Sequence, residues 1–315
     1  MPARLLAACS LLAVATLAPP FRAAGTPSAA AIVPFAFVDN RMTIECTIDG
    51  RGPFVMIVDT GAPDVAITPE AAKKLGLAVR DAGTTSGAGN NRAQNGATTI
   101  PLLSIGSLHL RNLDSGVIDL TEIQRKLGFA RLDGIVGYAV LKQFATFIDA
   151  DARTITFSSS LPSVPSGATT TRFSGSTPVI PARIDGIDTT VIVDTGDRSS
   201  LTLFGPFAKM HGYYGRDPSR TNIVTGYGLG GPVYGDVLTL PSLDVLGTHL
   251  SGVIARASRQ TGGVFTDPDH GGSIGEGVLK RFNIVYDYRN HRIIAWRSRY
   301  FGVPDAFVAP GSGAR

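Results

Sequence analysis

Two acidic tripeptides in this 315-residue sequence have the residue types and the context for acid–base chemistry. Asp59-Thr60-Gly61 follows the apolar run 54–58, and Asp194-Thr195-Gly196 follows the apolar run 191–193. A buried strand rich in Val and Ile has no structural need for a carboxylate at its end. Two carboxylates that meet cannot both ionise cheaply, so they share one proton and titrate in two separated steps. One is then a base while the other is an acid, which is what activation of water at a carbonyl requires.

The segments around these tripeptides repeat across the two halves of the chain. Ser-Gly-Val-Ile stands at 115–118 and again at 251–254, at nearly the spacing of the two acidic tripeptides. The segment 134–144 is likewise matched by 272–282. Because the order of these segments is preserved, the sequence indicates one fold used twice, each copy a mostly-β unit of about 125 residues.

Each acidic tripeptide is delivered by a predicted hairpin. In the first half, the alternating segment 41–48 and the turn 49–52 lead into the apolar strand, and in the second half 179–184 and the turn at Asp185-Gly186 do the same. After the first tripeptide, 65–67 is predicted to be a short strand. Thr68-Pro69-Glu70 then has the cap, the first-turn proline and the early acid of a helix that should stop at Gly76.

Glycine-rich segments occupy matching places in the two halves, at 83–96 and 225–231. Glycine clusters usually form loops, so a pair of surface loops is the simplest interpretation. Because both lie between predicted strands, we also consider mobile hairpins, or flaps, that cover a cleft. Tyr227 and Gly228 are the candidate flap residues, and Tyr227 is equally well explained as a packed hairpin side chain.

Composition favours a globular chain with many turns. Apolar residues make up 43%, and 37 Gly and 20 Pro punctuate short strands, while the formal charge is only +4. No run of Lys or Arg forms a basic patch, so nucleic acid is not an expected partner. The predicted organisation is a signal peptide (1–30), an N-terminal lobe (31–157), a linker (158–176), a C-terminal lobe (177–300) and a tail (301–315).

The first 30 residues have the features of an export signal. Arg4 supplies the positive end, 5–18 is an apolar region too short for a comfortable membrane span, and small residues at 23–31 offer cleavage sites. Leu6-Ala7-Ala8-Cys9 is similar to a lipobox, but almost no apolar segment precedes it, so lipid anchoring is not expected. The sequence therefore predicts a periplasmic or secreted protein without a stable membrane span.

Other catalytic chemistries have little support. Cys46 is the cysteine left after the predicted signal, lies in an alternating strand and has no neighbouring His to serve as a base. No Gly-x-Ser-x-Gly elbow is present. The five histidines have no short metal-binding spacing, so neither a metal nor a cofactor is predicted. They stand at 109, 211, 249, 270 and 291.

The order of apolar strand, Asp-Thr-Gly, glycine-rich hairpin and an apolar-apolar-Gly segment resembles the retropepsin-like aspartic proteases. Because both copies are in one chain and each is short, the sequence is most similar to bacterial retropepsin-like enzymes fused in tandem. The resemblance implies an all-β fold with short helices, in which two acid-protease β-barrel lobes are related by a pseudo-twofold axis. It also implies an aspartic endopeptidase acting on polypeptides, without a cofactor and as a monomer.

The resemblance also implies roles for individual residues. Asp59 and Asp194 would form the catalytic pair, Thr60 and Thr195 would hydrogen-bond across to the opposite loop, and Gly61 and Gly196 would allow tight turns. Ile135-Val136-Gly137 and Ser273-Ile274-Gly275 match the segments that pack beneath these loops, and Ser273 departs from the usual apolar residue.

The residue after each glycine differs between the halves, Ala62 in one and Asp197 in the other. Asp197 is expected either to turn away or pair with Arg198 as an ordinary turn acid, or to act as a third carboxylate that raises the upper pKa of the catalytic pair. Two readings compete with a protease acting alone: a catalytically inactive, peptide-binding or structural two-lobed module, and a chain that pairs with a second copy of itself.

Overall fold

A computed structural model describes residues 30–311, so nearly all of the predicted signal peptide lies outside the described residues. Within that range no helix is long and apolar enough to cross a membrane. The strands are β1 (Ala31–Pro34), β2 (Ala36–Val38), β3 (Arg41–Ile48), β4 (Arg51–Val58), β5 (Val65–Ile67), β6 (Arg80–Thr85), β7 (Ala93–Ile105), β8 (Leu108–Ile118), β9 (Gly134–Val136), β10 (Ala145–Asp149), β11 (Thr154–Ser158), β12 (Thr169–Arg172), β13 (Val179–Ile184), β14 (Ile187–Val193), β15 (Leu201–Leu203), β16 (Ile223–Gly228), β17 (Gly231–Val245), β18 (Thr248–Ser258), β19 (Gly272–Ile274), β20 (Phe282–Asp287) and β21 (Arg292–Arg297).

Short helices connect these strands. They are α1 (Pro69–Leu75), α2 (Thr121–Leu127), α3 (Tyr138–Leu141), α4 (Gly205–Met210) and α5 (Glu276–Leu279), with single 3-10 turns at Pro218–Arg220, Val264–Thr266 and Tyr288–Asn290. The start of α1 is as predicted, because the Thr68 hydroxyl accepts a hydrogen bond from the Ala71 N–H and Pro69 occupies the first turn. Gly76, in the left-handed conformation, ends the helix.

The N-terminal lobe is built on an eight-stranded sheet in the order β2-β3-β4-β9-β5-β8-β7-β6, which also pairs β3 with β7. The predicted hairpin is confirmed: β3 and β4 are antiparallel and joined at Asp49-Gly50, both with positive φ. Strand β4 then pairs in parallel with β9, so the end of the apolar strand lies beside the Ile135-Val136-Gly137 segment.

The C-terminal lobe repeats this plan. Its seven-stranded sheet has the order β13-β14-β19-β15-β18-β17-β16 and pairs β13 with β17. The predicted turn at Asp185-Gly186 joins β13 to β14, and β14 pairs in parallel with β19, in the same register as β4 with β9. The duplication seen in the sequence is therefore a duplication of strand order, and it fixes the two acidic tripeptides at equivalent places.

A third sheet joins the two lobes. It has six strands in the order β1-β11-β10-β20-β21-β12, so its two central strands come from different halves of the chain. The predicted linker contributes strand β12 to this sheet, and the predicted tail packs on the C-terminal lobe through Asp305, which accepts hydrogen bonds from Ser200 and the Ile254 N–H. Apolar side chains from all three sheets form one continuous core, and each fully buried Val, Leu, Ile or Phe contributes about 1.5–3 kcal/mol.

Candidate active site

The two acidic tripeptides lie at the ends of equivalent strands and face each other between the lobes. Asp59 follows β4, and its N–H donates to the Val136 carbonyl at 3.0 Å. Asp194 follows β14, and its N–H donates to the Ile274 carbonyl at the same distance. The segments predicted to lie beneath the loops therefore fix the backbone of both acids.

The carboxyl groups of Asp59 and Asp194 share a hydrogen bond. This contact needs glycine in each loop, because a Cβ atom on Gly61 would stand 2.7 Å from the Asp194 carboxyl and one on Gly196 would stand 2.4 Å from that of Asp59. The backbone environments differ slightly. One oxygen of Asp59 accepts hydrogen bonds from the N–H groups of Gly61 (2.8 Å) and Ala62 (3.1 Å). Of the N–H groups in the second loop, the Asp194 carboxyl accepts a hydrogen bond from that of Gly196 only (2.8 Å).

Two buried threonines lock the loops together in a symmetric exchange. The Thr60 hydroxyl donates to the Val193 carbonyl (2.7 Å) and accepts the Thr195 N–H (3.0 Å). The Thr195 hydroxyl donates to the Val58 carbonyl (2.8 Å) and accepts the Thr60 N–H (2.9 Å). Each lobe thus holds the Asp-Thr-Gly loop of the other, which is the cross-loop contact that the resemblance implied.

The electrostatics of the pair favour one shared proton. Burial raises the pKa of Asp59, against hydrogen bonds from Asp194 and Gly61 and the positive charge of Arg41, which lower it. Burial raises the pKa of Asp194 well above its usual range, and the negative charges of Asp59 and Asp197 raise it further. The proton therefore resides preferentially on Asp194.

Asp197 does not pair with Arg198, so that part of the expectation is wrong. Its buried carboxylate instead accepts hydrogen bonds from Arg256 (2.9 Å), Thr202 (2.6 Å) and both polar groups of Ser199. Burial raises the pKa of Asp197, but the Arg256 charge and these hydrogen bonds outweigh it and hold the pKa below the usual value. Asp197 is thus an ionised third carboxylate behind the pair.

Arg198 turns the other way because a different acid is available to it. Its guanidinium contacts the carboxylate of Asp39, a buried residue from the turn between β2 and β3. Arg41, at the start of β3, contacts the same carboxylate. Sequence reasoning missed Asp39, Arg41 and Arg256, since each is a lone charge in an otherwise ordinary strand or turn.

A cavity of about 340 Å³ lies above the acids, between the lobes. The two glycine-rich segments are hairpins that meet over it: the Gly89 N–H donates to the Leu229 carbonyl (2.9 Å) and the Asn91 N–H to that of Gly230 (3.1 Å). Tyr227 and Gly228 both line the cavity, and Tyr227 also packs on an apolar cluster of the N-terminal lobe. Both interpretations of Tyr227 therefore describe it. The cluster supplies the apolar wall of the cavity through Ile57, Ile118, Leu120, Ile123, Leu132 and Ile135.

None of the Cys and His side chains that the structure describes lines this cavity. Cys46 is buried, and burial raises the pKa of its thiol to about 12, so it is not a nucleophile. His109 and His249 hydrogen-bond to Ser104 and Asp244 in equivalent hairpins of the two lobes. Among residues 30–311 no three His, Cys, Asp or Glu side chains are grouped so that they could hold a metal ion.

Comparison with known proteins gives one family-model match and a match to a solved structure. Residues 44–140, which carry Asp59, match the family model described as aspartyl protease. The aspartic proteinase from Irpex lacteus is similar in structure, with a TM-score of 0.55 and 16% sequence identity over 88% of this chain and 100% of that chain. A comparison with curated protein sequences finds no match. The chain therefore has the two-lobed fold of a pepsin-like aspartic proteinase, and the match in its first lobe is to aspartyl proteases.

Proposed function

We propose that this chain, which has the two-lobed pepsin-like fold and an aspartyl protease match in its first lobe, is an active aspartic endopeptidase. Asp59 and Asp194 are its catalytic residues. The observation that carries the proposal is the hydrogen bond between these two carboxyl groups at the floor of the cleft, because this mechanism needs two acids within proton-sharing distance.

The asymmetry of the pair assigns the two roles. Asp59 accepts two backbone N–H groups and lies near the positive charge of Arg41, so it carries the negative charge and acts as the base. Asp194 lies near the negative charge of Asp197, so it holds the proton and acts as the acid. Asp59 removes a proton from a bound water as that water attacks the peptide carbonyl, while Asp194 donates its hydrogen to the developing oxyanion. Proton return to the leaving nitrogen then completes hydrolysis without a covalent enzyme intermediate.

The cleft suits an extended peptide. A substrate strand between the glycine-rich hairpins would pair with their backbone, and its side chains would alternate between the cleft walls. The N-terminal wall is apolar, since Ile123, Leu132 and Ile135 face the cavity, so an apolar side chain is favoured there. Because the hairpin tips are hydrogen-bonded to each other, they must separate before a substrate enters.

The experiment is digestion of a mixed peptide library by the purified protein from about pH 3 to 7, the range in which a carboxylate pair titrates. Asp59→Asn and Asp194→Asn are tested beside it. Cleavage by the unmutated protein and its loss in both variants would support the proposal. No cleavage at any pH would favour a peptide-binding or structural module that lacks activity.

We further propose that the enzyme works outside the cytoplasm as a monomer. Residues 1–30 have the order of a signal peptide, and the internal duplication supplies both catalytic acids in one chain. N-terminal sequencing of the exported protein tests the first point, the location. A mature chain produced by cleavage within residues 23–31 supports it, and an intact N-terminus contradicts it. Sedimentation of an active sample tests the second, and a dimer contradicts it.

A further inference from the structure

The turn between β2 and β3 carries three polar side chains into the interface between the lobes. Asp39 and Asn40 have positive φ angles of 48° and 58°, a conformation that Asp and Asn adopt more readily than most residues. Arg41 follows as the first residue of β3. Asp39 and Arg41 are 6% and 8% exposed, so this is a buried charged group rather than a surface ion pair.

All three side chains contact the catalytic loop of the opposite lobe. Arg41 Nε donates to the Gly196 carbonyl at 2.6 Å, immediately after Asp194-Thr195. Asn40 Nδ2 donates to the Arg198 carbonyl, also at 2.6 Å. The Asp39 carboxylate accepts from the Arg198 guanidinium at 2.8–3.0 Å. These contacts fix two carbonyls and one side chain within three consecutive residues of the loop.

The two catalytic loops differ in the side-chain hydrogen bonds that they receive from the opposite lobe. Among the residues that the structure describes, no side-chain hydrogen bond from the C-terminal lobe reaches the Gly61 carbonyl, the counterpart of Gly196. The threonine exchange is symmetric, whereas this contact is present on one side only. The C-terminal loop therefore has a support that the N-terminal loop lacks.

We propose that Asp39-Asn40-Arg41 is a clamp that positions the C-terminal catalytic loop, and that Arg41 is its principal positioning residue, acting on both the placement and the charge of the catalytic pair. The inference rests on the proposed protease activity and deepens it. Arg41 has two effects. Its hydrogen bond orients the peptide after Gly196, and thereby Asp194, while its positive charge at the cleft favours the ionised form of Asp59.

Several other titratable or charged groups interact with the catalytic pair. Asp197 and Arg256 lie on the C-terminal side, and Tyr286 and Tyr288 interact with Asp194 and Asp59 from the core side. The Asp39–Arg198 ion pair adjoins Arg41. The experiment must therefore change Arg41 while leaving these groups in place. Arg41→Met does so, because Asp39 keeps its pairing with Arg198.

Three variants separate position from charge. Arg41→Met removes both, and it should lower kcat about 10- to 100-fold, since small misplacements of catalytic groups cost that much, with a smaller change in KM. Without the positive charge the pKa values of the pair rise, so both limbs of the pH–rate profile should move to higher pH. Arg41→Lys keeps the charge but loses the fork that reaches two acceptors, so kcat should fall while the profile stays in place. Arg259→Met removes an ion pair with the buried Asp236, and Arg259 does not line the cavity, so kcat and the profile should be unchanged.

A readout independent of activity accompanies the kinetics. The ¹³Cγ resonances of Asp59 and Asp194, assigned with the two Asn variants, are titrated by NMR in the unmutated protein and in each Arg41 variant. Higher carboxyl pKa values in Arg41→Met and unchanged values in Arg41→Lys support the inference. The inference is overturned if Arg41→Met has the kcat or the carboxyl pKa values of the unmutated protein. It is also overturned if Arg259→Met changes kcat and the pKa values as much as Arg41→Met does.

The two proposals fail in different ways. If the unmutated protein cleaves no peptide, the proposed function is wrong, and the carboxyl titration still decides whether Arg41 acts on the pair. If the unmutated protein is active and Arg41→Met matches it, the clamp alone is wrong. Should Arg41→Met not fold, the kcat of Arg41→Lys decides, and an unchanged value overturns the clamp.

Discussion

The two Asp-Thr-Gly loops share the backbone hydrogen bonds that hold them on the segments beneath and have different electrostatic surroundings. The Ala62 carbonyl accepts the Tyr138 N–H at 2.9 Å, and the Asp197 carbonyl accepts the Glu276 N–H at 2.8 Å. The side chains beyond these bonds diverge, since Ala62 carries no charge whereas Asp197 is ion-paired with Arg256. Duplication has thus preserved the hydrogen bonds that shape the loops, while the charges around them have become unequal.

This difference bears on how a symmetric scaffold performs an asymmetric reaction. One carboxyl must hold the proton while its partner ionises, and an exact twofold axis would give neither of them a preference. Arg41 favours the ionised form of Asp59, and Asp197 favours the protonated form of Asp194. In the proposed mechanism, the unequal surroundings therefore separate the acid from the base before a substrate binds.

The largest expected effect is that both acids are required despite their different surroundings. We expect Asp59→Asn and Asp194→Asn each to lower kcat/KM about 10²- to 10⁴-fold, the usual contribution of general acid–base catalysis. Because the pair acts as a unit, the kcat/KM of the double variant should be no lower than that of the less active single variant. Peptide hydrolysis assays measure all three proteins. A double variant whose losses multiply would contradict the shared-proton mechanism.

The next effect isolates the charge that only the C-terminal loop carries. Asp197→Asn leaves Arg256 buried without its partner, which should lower the free energy of unfolding by about 3–5 kcal/mol. Loss of the negative charge should also lower the pKa of Asp194, so the alkaline limb of the pH–rate profile should move to lower pH.

Urea denaturation and the pH–rate profile measure these two changes. Asp188→Asn, at an exposed acid of the C-terminal lobe outside the cavity lining, is the control and should move neither. An unmoved alkaline limb in folded Asp197→Asn would show that this carboxylate has no influence on the pair.

A third difference lies beneath the loops, where Glu276 stands in the place of Tyr138. Burial raises the pKa of Glu276 from 4.5 to about 8. The folded state thus binds more protons than the unfolded chain between these values, so its stability should fall as the pH rises through that window. Glu276→Gln should remove this loss. Urea denaturation at several pH values measures the loss of unfolding free energy, and Glu70→Gln, at an exposed acid, is the control. An equal loss in the unmutated and Glu276→Gln proteins would contradict the prediction.

The smallest effect tests the part of the comparison that is symmetric. Thr60→Val and Thr195→Val each leave a buried N–H and a buried carbonyl without their partner, so each should cost about 1–3 kcal/mol of unfolding free energy. The two costs should be similar, and they should not add in the double variant because the hydroxyls serve each other's loops. Urea denaturation measures them. Unequal costs would mean that the asymmetry extends to the backbone of the loops.

Local patterns predicted much of this architecture. Alternating strands, turns at Asp49-Gly50 and Asp185-Gly186, and the capped helix after Thr68 depend on neighbours in the chain and are present as expected. The contact between Asp59 and Asp194 was expected from the resemblance to retropepsin-like aspartic proteases, because duplication alone does not bring equivalent residues together. Strand β12 within the predicted linker was not, since its partner β21 lies more than 100 residues later in the chain.

The partners of the charged residues were beyond sequence reasoning for a related cause. Arg198 is adjacent to Asp197 in the chain, yet it pairs with Asp39, 159 residues away. With 29 Lys and Arg in the chain, only the packing of the lobes selects which cation each buried acid meets.

The sequence by itself determined the duplication, the hairpins that deliver the two acids and the identity of those acids, because each of these is written in short-range periodicity and in repeated order. The tertiary structure alone decided the six-stranded sheet between the lobes, the meeting of the hairpin tips and the placement of the cations Arg41 and Arg256 beside the catalytic pair. The physical reason is that burial and Coulomb interactions depend on distances across the folded interface, and the chain contains many residues of the right charge. Which acid holds the proton therefore depends both on Asp197, three residues from Asp194 in the chain, and on Arg41, which reaches the pair only after the lobes have packed.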